Sequence, residues 1–166
     1  MKFQYPGQYE AYQDVWEYLF DKRTTMRMIF LYRKNLLHQS ISTFQRKAFY
    51  LQYGLHNWIK GSCTHVPRGV HVNTKQLFEI LEFKEDHQRN LQALQQKFTH
   101  TCTIEYEDLI TNTKETLQSV LSFLGADTMQ LNSSILKISP TDIRESVLNY
   151  DEIERALRGT SYEHFL

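Results

Sequence analysis

The feature that most constrains this chain is Met26–Tyr32 (MRMIFLY), a nearly uninterrupted apolar run that stops abruptly at Arg33-Lys34-Asn35. It is short for a buried helix and has no polar alternation, so it predicts a strand buried on both faces, as in a parallel sheet. Asn35 is placed to cap a helix directly afterwards, with Leu37, Ile41, Phe44, Ala48 and Leu51 as its apolar stripe and Gly54 as its stop.

The rest of the chain repeats this alternation. Lys2–Tyr5 reads as the end of a strand closed by Pro6-Gly7, and 10–20 as a helix with Tyr12, Val15, Trp16, Leu19 and Phe20 at helical spacing. Residues 55–73 contain Gly61, Pro67 and Gly69 without a period, which predicts a long loop. Thr74 is expected to cap a long helix carrying Leu77, Ile80, Leu81, Leu91, Leu94 and Phe98. Thr101–Tyr106 (TCTIEY) alternates and is rich in β-formers, hence a strand. Asn112 and Glu115 form a capping-box pair opening a helix through Leu117, Val120, Leu121 and Leu124, with Gly125 as its left-handed stop. Ser139-Pro140 predicts another helix start, and Asp151–Arg158 a last helix closed by Gly159. Strands alternating with helices predict an α/β fold with a parallel sheet, in a single domain over 1–166.

Composition narrows the function classes. Lys plus Arg equals Asp plus Glu, 19 each, so no global charge favours nucleic acid or an anionic membrane, and any anion site is local. Cys63 and Cys102 make neither a CxxC pair nor a disulfide framework. No stretch approaches the ~20 apolar residues needed to span a bilayer, and MKFQYPGQYE lacks a signal-peptide core, so a cytoplasmic protein is expected.

Chemistry concentrates at Ile29–Thr43 (IFLYRKNLLHQSIST). A parallel strand delivers Arg33 to its carboxyl end, where α/β folds place ligands, and the helix that follows brings free N–H groups and a positive dipole end. Ser40 and Ser42 lie in its second turn and, at about 100° per residue, face different directions, so one of them can point back to Arg33. Guanidinium, hydroxyl and helix amides together suit a phosphate. The plainer reading is a surface arginine or half of an ion pair.

The pattern Arg-x-Asn-Leu-Leu-x-x-Ser-Ile-Ser after an apolar strand resembles the 3′-phosphate-binding motif of PAPS-dependent sulfotransferases, in its bacterial and carbohydrate-type form. Two further blocks resemble that family in order: Ile104–Leu109 (IEYEDL) with Phe123-Leu124-Gly125, and Ile143–Glu152 (IRESVLNYDE). The resemblance implies a three-layer P-loop-like fold, PAPS as sulfuryl donor with no metal, and a small-molecule or carbohydrate acceptor bearing a hydroxyl or amine. It assigns Arg33 and Ser42 to the 3′-phosphate, Ser40 as the second choice of serine, and Tyr106 to the neighbourhood of the nucleotide. The family's first strand and its Gly/Ser/Thr-rich 5′-phosphosulfate loop have no counterpart here. The expectation is therefore an incomplete enzyme with no assigned catalytic base, or alternatively a non-catalytic scaffold or interaction module on the same fold.

Other candidates carry less. His56, Cys63, His65 and His71 match no standard zinc spacing. Trp58, Lys60, His65 and Arg68 would suit an anionic or sugar-like acceptor if their loop overhangs a cleft. His38 could donate to a phosphate or act as a base, although a solvated helix histidine is the commoner case. Glu107 and Asp108 are expected to fix the strand–helix corner. Asn132-Ser133-Ser134 is a glycosylation sequon read as chance, and the charges at 79–85 are a solvated helix face.

Overall fold

The computed structural model describes residues 13–55, 69–131 and 142–166, together with the backbone of 58–59 and 135–136. The expectations for Lys2–Tyr5, Pro6-Gly7, Tyr12, Lys60, Cys63, His65, Arg68, the sequon and Ser139-Pro140 lie outside the described residues, as do His56 and the Trp58 side chain. The fold is α/β. In chain order it runs α1 (Gln13–Asp21), β1 (Arg27–Tyr32), α2 (Leu36–Tyr53), β2 (Trp58–Ile59), α3 (Thr74–Gln95), β3 (His100–Glu105), α4 (Tyr106–Thr111), α5 (Thr113–Leu124), β4 (Ile135–Leu136) and α6 (Tyr150–Leu157). Short 3₁₀ turns occupy Ile143–Glu145 and Glu163–Phe165.

Contacts group the chain into two compact units, one of Met1–Lys34 with Glu85–Leu131, the other of Asn35–Lys84 with Asn132–Leu166. In the first, β1 and β3 pair in parallel from Arg27↔His100 to Tyr32↔Glu105, which is the parallel pairing the apolar run predicts. One face of the pair is covered. Phe30 packs with Leu94 and Phe98, flanked by Trp16, Leu19, Phe20, Met28, Tyr32 and Leu91.

Burial on both faces is not found: Ile29 is 39% and Leu31 48% exposed, whereas Phe30 is 4% exposed. The reason lies in α5, which buries no residue and presents Thr116, Ser119 and Val120 to a hollow shared with Cys102 and Ile104. Both cross-strand partners of the exposed pair, Cys102 opposite Ile29 and Ile104 opposite Leu31, border that hollow.

The second unit has its own core, in which Leu37, Ile41, Val72, Leu77, Leu81, Ile153 and Leu157 are fully buried. Residues β2 and β4 pair antiparallel, and Val70 and Val147 form a parallel bridge, so 55–73 is not a structureless loop throughout. From α3, Leu77 and Leu81 belong to this core.

Helix ends test the local readings. Asn35 caps α2 as expected, its Oδ1 accepting the His38 N–H at 2.9 Å, and Gly54 closes it at φ 68° with its N–H on the Tyr50 carbonyl. Gly125 closes α5 at φ 70°. Thr74 is not the cap of α3. Asn73 is, its Oδ1 accepting the Gln76 N–H at 2.9 Å, and the Thr74 hydroxyl donates instead to Glu152. The Asn112–Glu115 capping box also fails, because α4 runs up to Thr111 and Asn112 is the joint between two helices with no side-chain capping bond. Leu51 leaves the expected stripe of α2 and is 74% exposed, since burial follows Leu37, Ile41, Gln45 and Phe49 at four-residue steps. Gln45 is admitted to that row by a 2.5 Å hydrogen bond from its Nε2 to the buried Ser146 hydroxyl.

Candidate anion-binding corner

The parallel register sets the site. Because Tyr32 sits opposite Glu105, the residues that leave the two strands, Arg33-Lys34 and Tyr106-Glu107, emerge side by side at the carboxyl ends. Tyr106 is the first residue of α4, and its ring lies under the Arg33 guanidinium, 3.8 Å from Cζ to the ring centroid. Such stacking suits the weakly hydrated, planar guanidinium.

Glu107 holds the corner from the other strand. Its Oε1 is 3.5 Å from Arg33 Nε, and its Oε2 accepts the Lys34 backbone N–H at 3.0 Å. The expectation that Glu107 fixes the strand–helix corner thus agrees with its contacts. Lys34 forms its own ion pair with Glu105, and the Glu105 hydrogen bond pushes the Lys34 ammonium above its usual pKa. Both are exposed enough for water to screen the pair.

Arg33 is the atypical member. Its side chain is 19% exposed, and Nε is buried without a hydrogen bond, since Glu107 approaches at ion-pair distance only. The guanidinium carries five N–H donors. Among the described residues the only partners of Arg33 are Glu107 and the Tyr106 ring, so its terminal nitrogens make no hydrogen bond. A planar cation held from two sides with its outer edge unsatisfied has donors left over of the kind that oxyanions accept from.

Of the four residues expected at the site, Arg33 and Tyr106 are brought together. Ser40 and Ser42 belong to the other unit. The Ser42 hydroxyl donates to the Gln39 carbonyl at 2.8 Å within its own helix, and Ser40 is fully buried with its hydroxyl unpartnered. In that unit the Asn35 side chain also donates to the Phe165 carbonyl at 3.0 Å, tying the start of α2 to the chain's last residues.

Sequence reasoning missed Lys34 and Glu105. The available signal was the pairing of two basic residues after one strand with two acidic ones around the end of another, which acquires meaning only once the register is known. Among the described residues no three His, Cys, Asp or Glu side chains gather as a metal site, and no helix is long and apolar enough to cross a membrane. No protein-family model, curated protein or solved structure matches this chain.

Proposed function

We propose that this chain carries the 3′-phosphate-holding segment of a PAPS-dependent sulfotransferase, with Arg33 as the phosphate receptor and Tyr106 as its platform. The observation behind this reading is the Arg33 guanidinium, stacked 3.8 Å over Tyr106 with its terminal nitrogens unbonded at the carboxyl end of a parallel strand. A phosphate fits what Arg33 lacks, because its oxygens accept the parallel N–H bonds that the unsatisfied edge offers. Parallel pairing of β1 with β3 supports the parallel sheet of a P-loop-like arrangement, and its three layers enter through the sequence resemblance alone. Ser42, with Ser40 second, enters through the sequence resemblance alone.

When bound, PAPS supplies the sulfuryl group that passes to a hydroxyl or amine on a small molecule or carbohydrate. The role of Arg33 is to hold the donor by its 3′-phosphate, away from the bond that breaks. Tyr106 fixes the plane of the guanidinium so that little freedom is lost on binding. A cytoplasmic setting belongs to the same proposal.

Calorimetric titration with 3′-phosphoadenosine-5′-phosphate and with its 3′-dephosphorylated counterpart tests it. The expected preference for the 3′-phosphorylated form is about tenfold or more, since hydrogen bonds to charged groups contribute about 1.5–3 kcal/mol. Arg33→Ala is expected to abolish that preference. Equal binding of the two nucleotides, or binding of neither, overturns the proposal and leaves Arg33 as a purely structural corner in a non-catalytic scaffold or interaction module.

A further inference from the structure

Strand β3 pairs with β1 along one side, and among the described residues no strand lies along its other side. An edge strand of this kind leaves a row of backbone N–H and C=O groups without partners. A hollow of about 370 Å³ lies against it, within the first unit. Its lining includes Cys102, Thr103, Ile104 and Glu105, consecutive residues whose side chains alternate between the two faces of the sheet, and no residue of β1. The hollow therefore follows the edge of β3 and not one face of the pair.

The opposite wall is α5, which contributes Thr116, Ser119 and Val120, three positions on one side of the helix. The Thr116 and Ser119 hydroxyls donate back to the Asp108 and Glu115 carbonyls, so neither is a donor in want of an acceptor. Asp108 lines the hollow as well, and its carboxylate makes no ion pair or hydrogen bond with a described side chain. Lys34 lies within its electrostatic reach but pairs with Glu105.

We propose that β3 and α5 frame a docking groove for an extended segment of a partner protein, which adds a strand to the free edge of β3 and sets a lysine or arginine against Asp108. An extended backbone carries donors and acceptors at the spacing of the unpaired row, and side chains at alternate positions supply the selectivity. A helix already uses its backbone groups internally, and a nucleic acid would bring phosphates against Asp108 and Glu105. The lining residues of β3 span roughly 13 Å, so the paired core of the segment is about four residues long. Ile104 and Val120 give an apolar side chain of that segment a surface to pack on. Arg33 does not line the groove, so the two sites are separate.

The test selects peptides of about ten residues, long enough to cover β3 and its flanks, from a random display library on the full chain, and measures the selected peptides by fluorescence anisotropy. Their sequences are expected to alternate apolar and polar residues around a lysine or arginine. N-methylation of alternate peptide amides removes the donors of one edge, so methylating one of the two alternate sets is expected to abolish binding and methylating the other to leave it intact. Asp108→Lys is expected to weaken binding about tenfold, as attraction gives way to repulsion of like size. A thermal melt checks the fold of that variant, and Asp108→Asn, with a loss of about threefold, replaces it if it unfolds. Failure to select any peptide, as when residues of this chain already fill the edge, overturns the inference. So does binding that survives both methylations or ignores the Asp108 substitutions. Arg33→Ala is expected to leave peptide affinity unchanged, so the phosphate reading stands or falls separately.

Discussion

Arg33 is positioned by two neighbours that act differently, and substitution separates them. Tyr106 supplies a face, so Tyr106→Phe is expected to leave nucleotide affinity unchanged. Tyr106→Ala is expected to weaken it about two- to thirtyfold, the span that 0.5–2 kcal/mol of cation–π attraction covers. Glu107 supplies a charge that competes with an incoming anion, its Oε1 standing 3.5 Å from Arg33 Nε. Glu107→Gln keeps an acceptor for the Lys34 N–H while removing that competitor, and is expected to tighten binding of 3′-phosphoadenosine-5′-phosphate several-fold in the same titration. A Glu107→Gln variant that binds more weakly would show that the carboxylate orients Arg33 more than it opposes the ligand.

At the scale of elements, the join between 69–73 and 146–150 shows a side chain standing in for a strand. The Val70↔Val147 bridge is made by Val70 N–H on the Ser146 carbonyl at 2.8 Å and Leu148 N–H on the Val70 carbonyl at 3.0 Å. The next rung is the Asn149 carboxamide, which accepts the Val72 N–H and donates to the Val72 carbonyl, both at 2.9 Å. Val72 is fully buried, so Asn149→Ala removes the partners of two backbone groups and is expected to cost about 2–4 kcal/mol in urea unfolding. The same amide and the Thr74 hydroxyl donate to Glu152, and these bonds, that from Asn149 first, hold its carboxyl below the ordinary value of 4.5. Unfolded chains then bind the Glu152 proton more readily than folded ones. This contribution is therefore present above pH 4.5 and is lost as pH falls through the lower folded value. Melting temperature is expected to drop on acidification across that window, and to drop less in Glu152→Gln.

Over the whole molecule, each unit keeps a core of its own, with Leu77 and Leu81 in one and Leu91 and Leu94 in the other. Ile153, fully buried in the second, is expected to cost about 2–5 kcal/mol when cut to Ala, read from urea unfolding. Local signals were legible in the sequence: the Asn35 cap, the left-handed stops at Gly54 and Gly125, the apolar strand and its parallel partner. Their physics is contained within a few neighbouring residues. What escaped depends on residues far apart in the chain. Gln45 looks polar and is buried because Ser146, 101 positions away, receives its hydrogen bond. Ile29 and Leu31 look buried and are exposed because the helix beside their face buries nothing. The corner itself was half legible, since Arg33 is marked by its place after a strand and Glu107 by its place at the strand–helix corner, whereas Lys34 and Glu105 need the register.

The central claim is that the outer edge of the Arg33 guanidinium receives the 3′-phosphate, and the side-chain Nε–H resonance of Arg33 reports on it directly. In a heteronuclear NMR titration with 3′-phosphoadenosine-5′-phosphate that resonance is expected to shift progressively and saturate with binding, with little response to the 3′-dephosphorylated nucleotide. Nucleotide binding that leaves the Arg33 resonance unmoved would contradict the account.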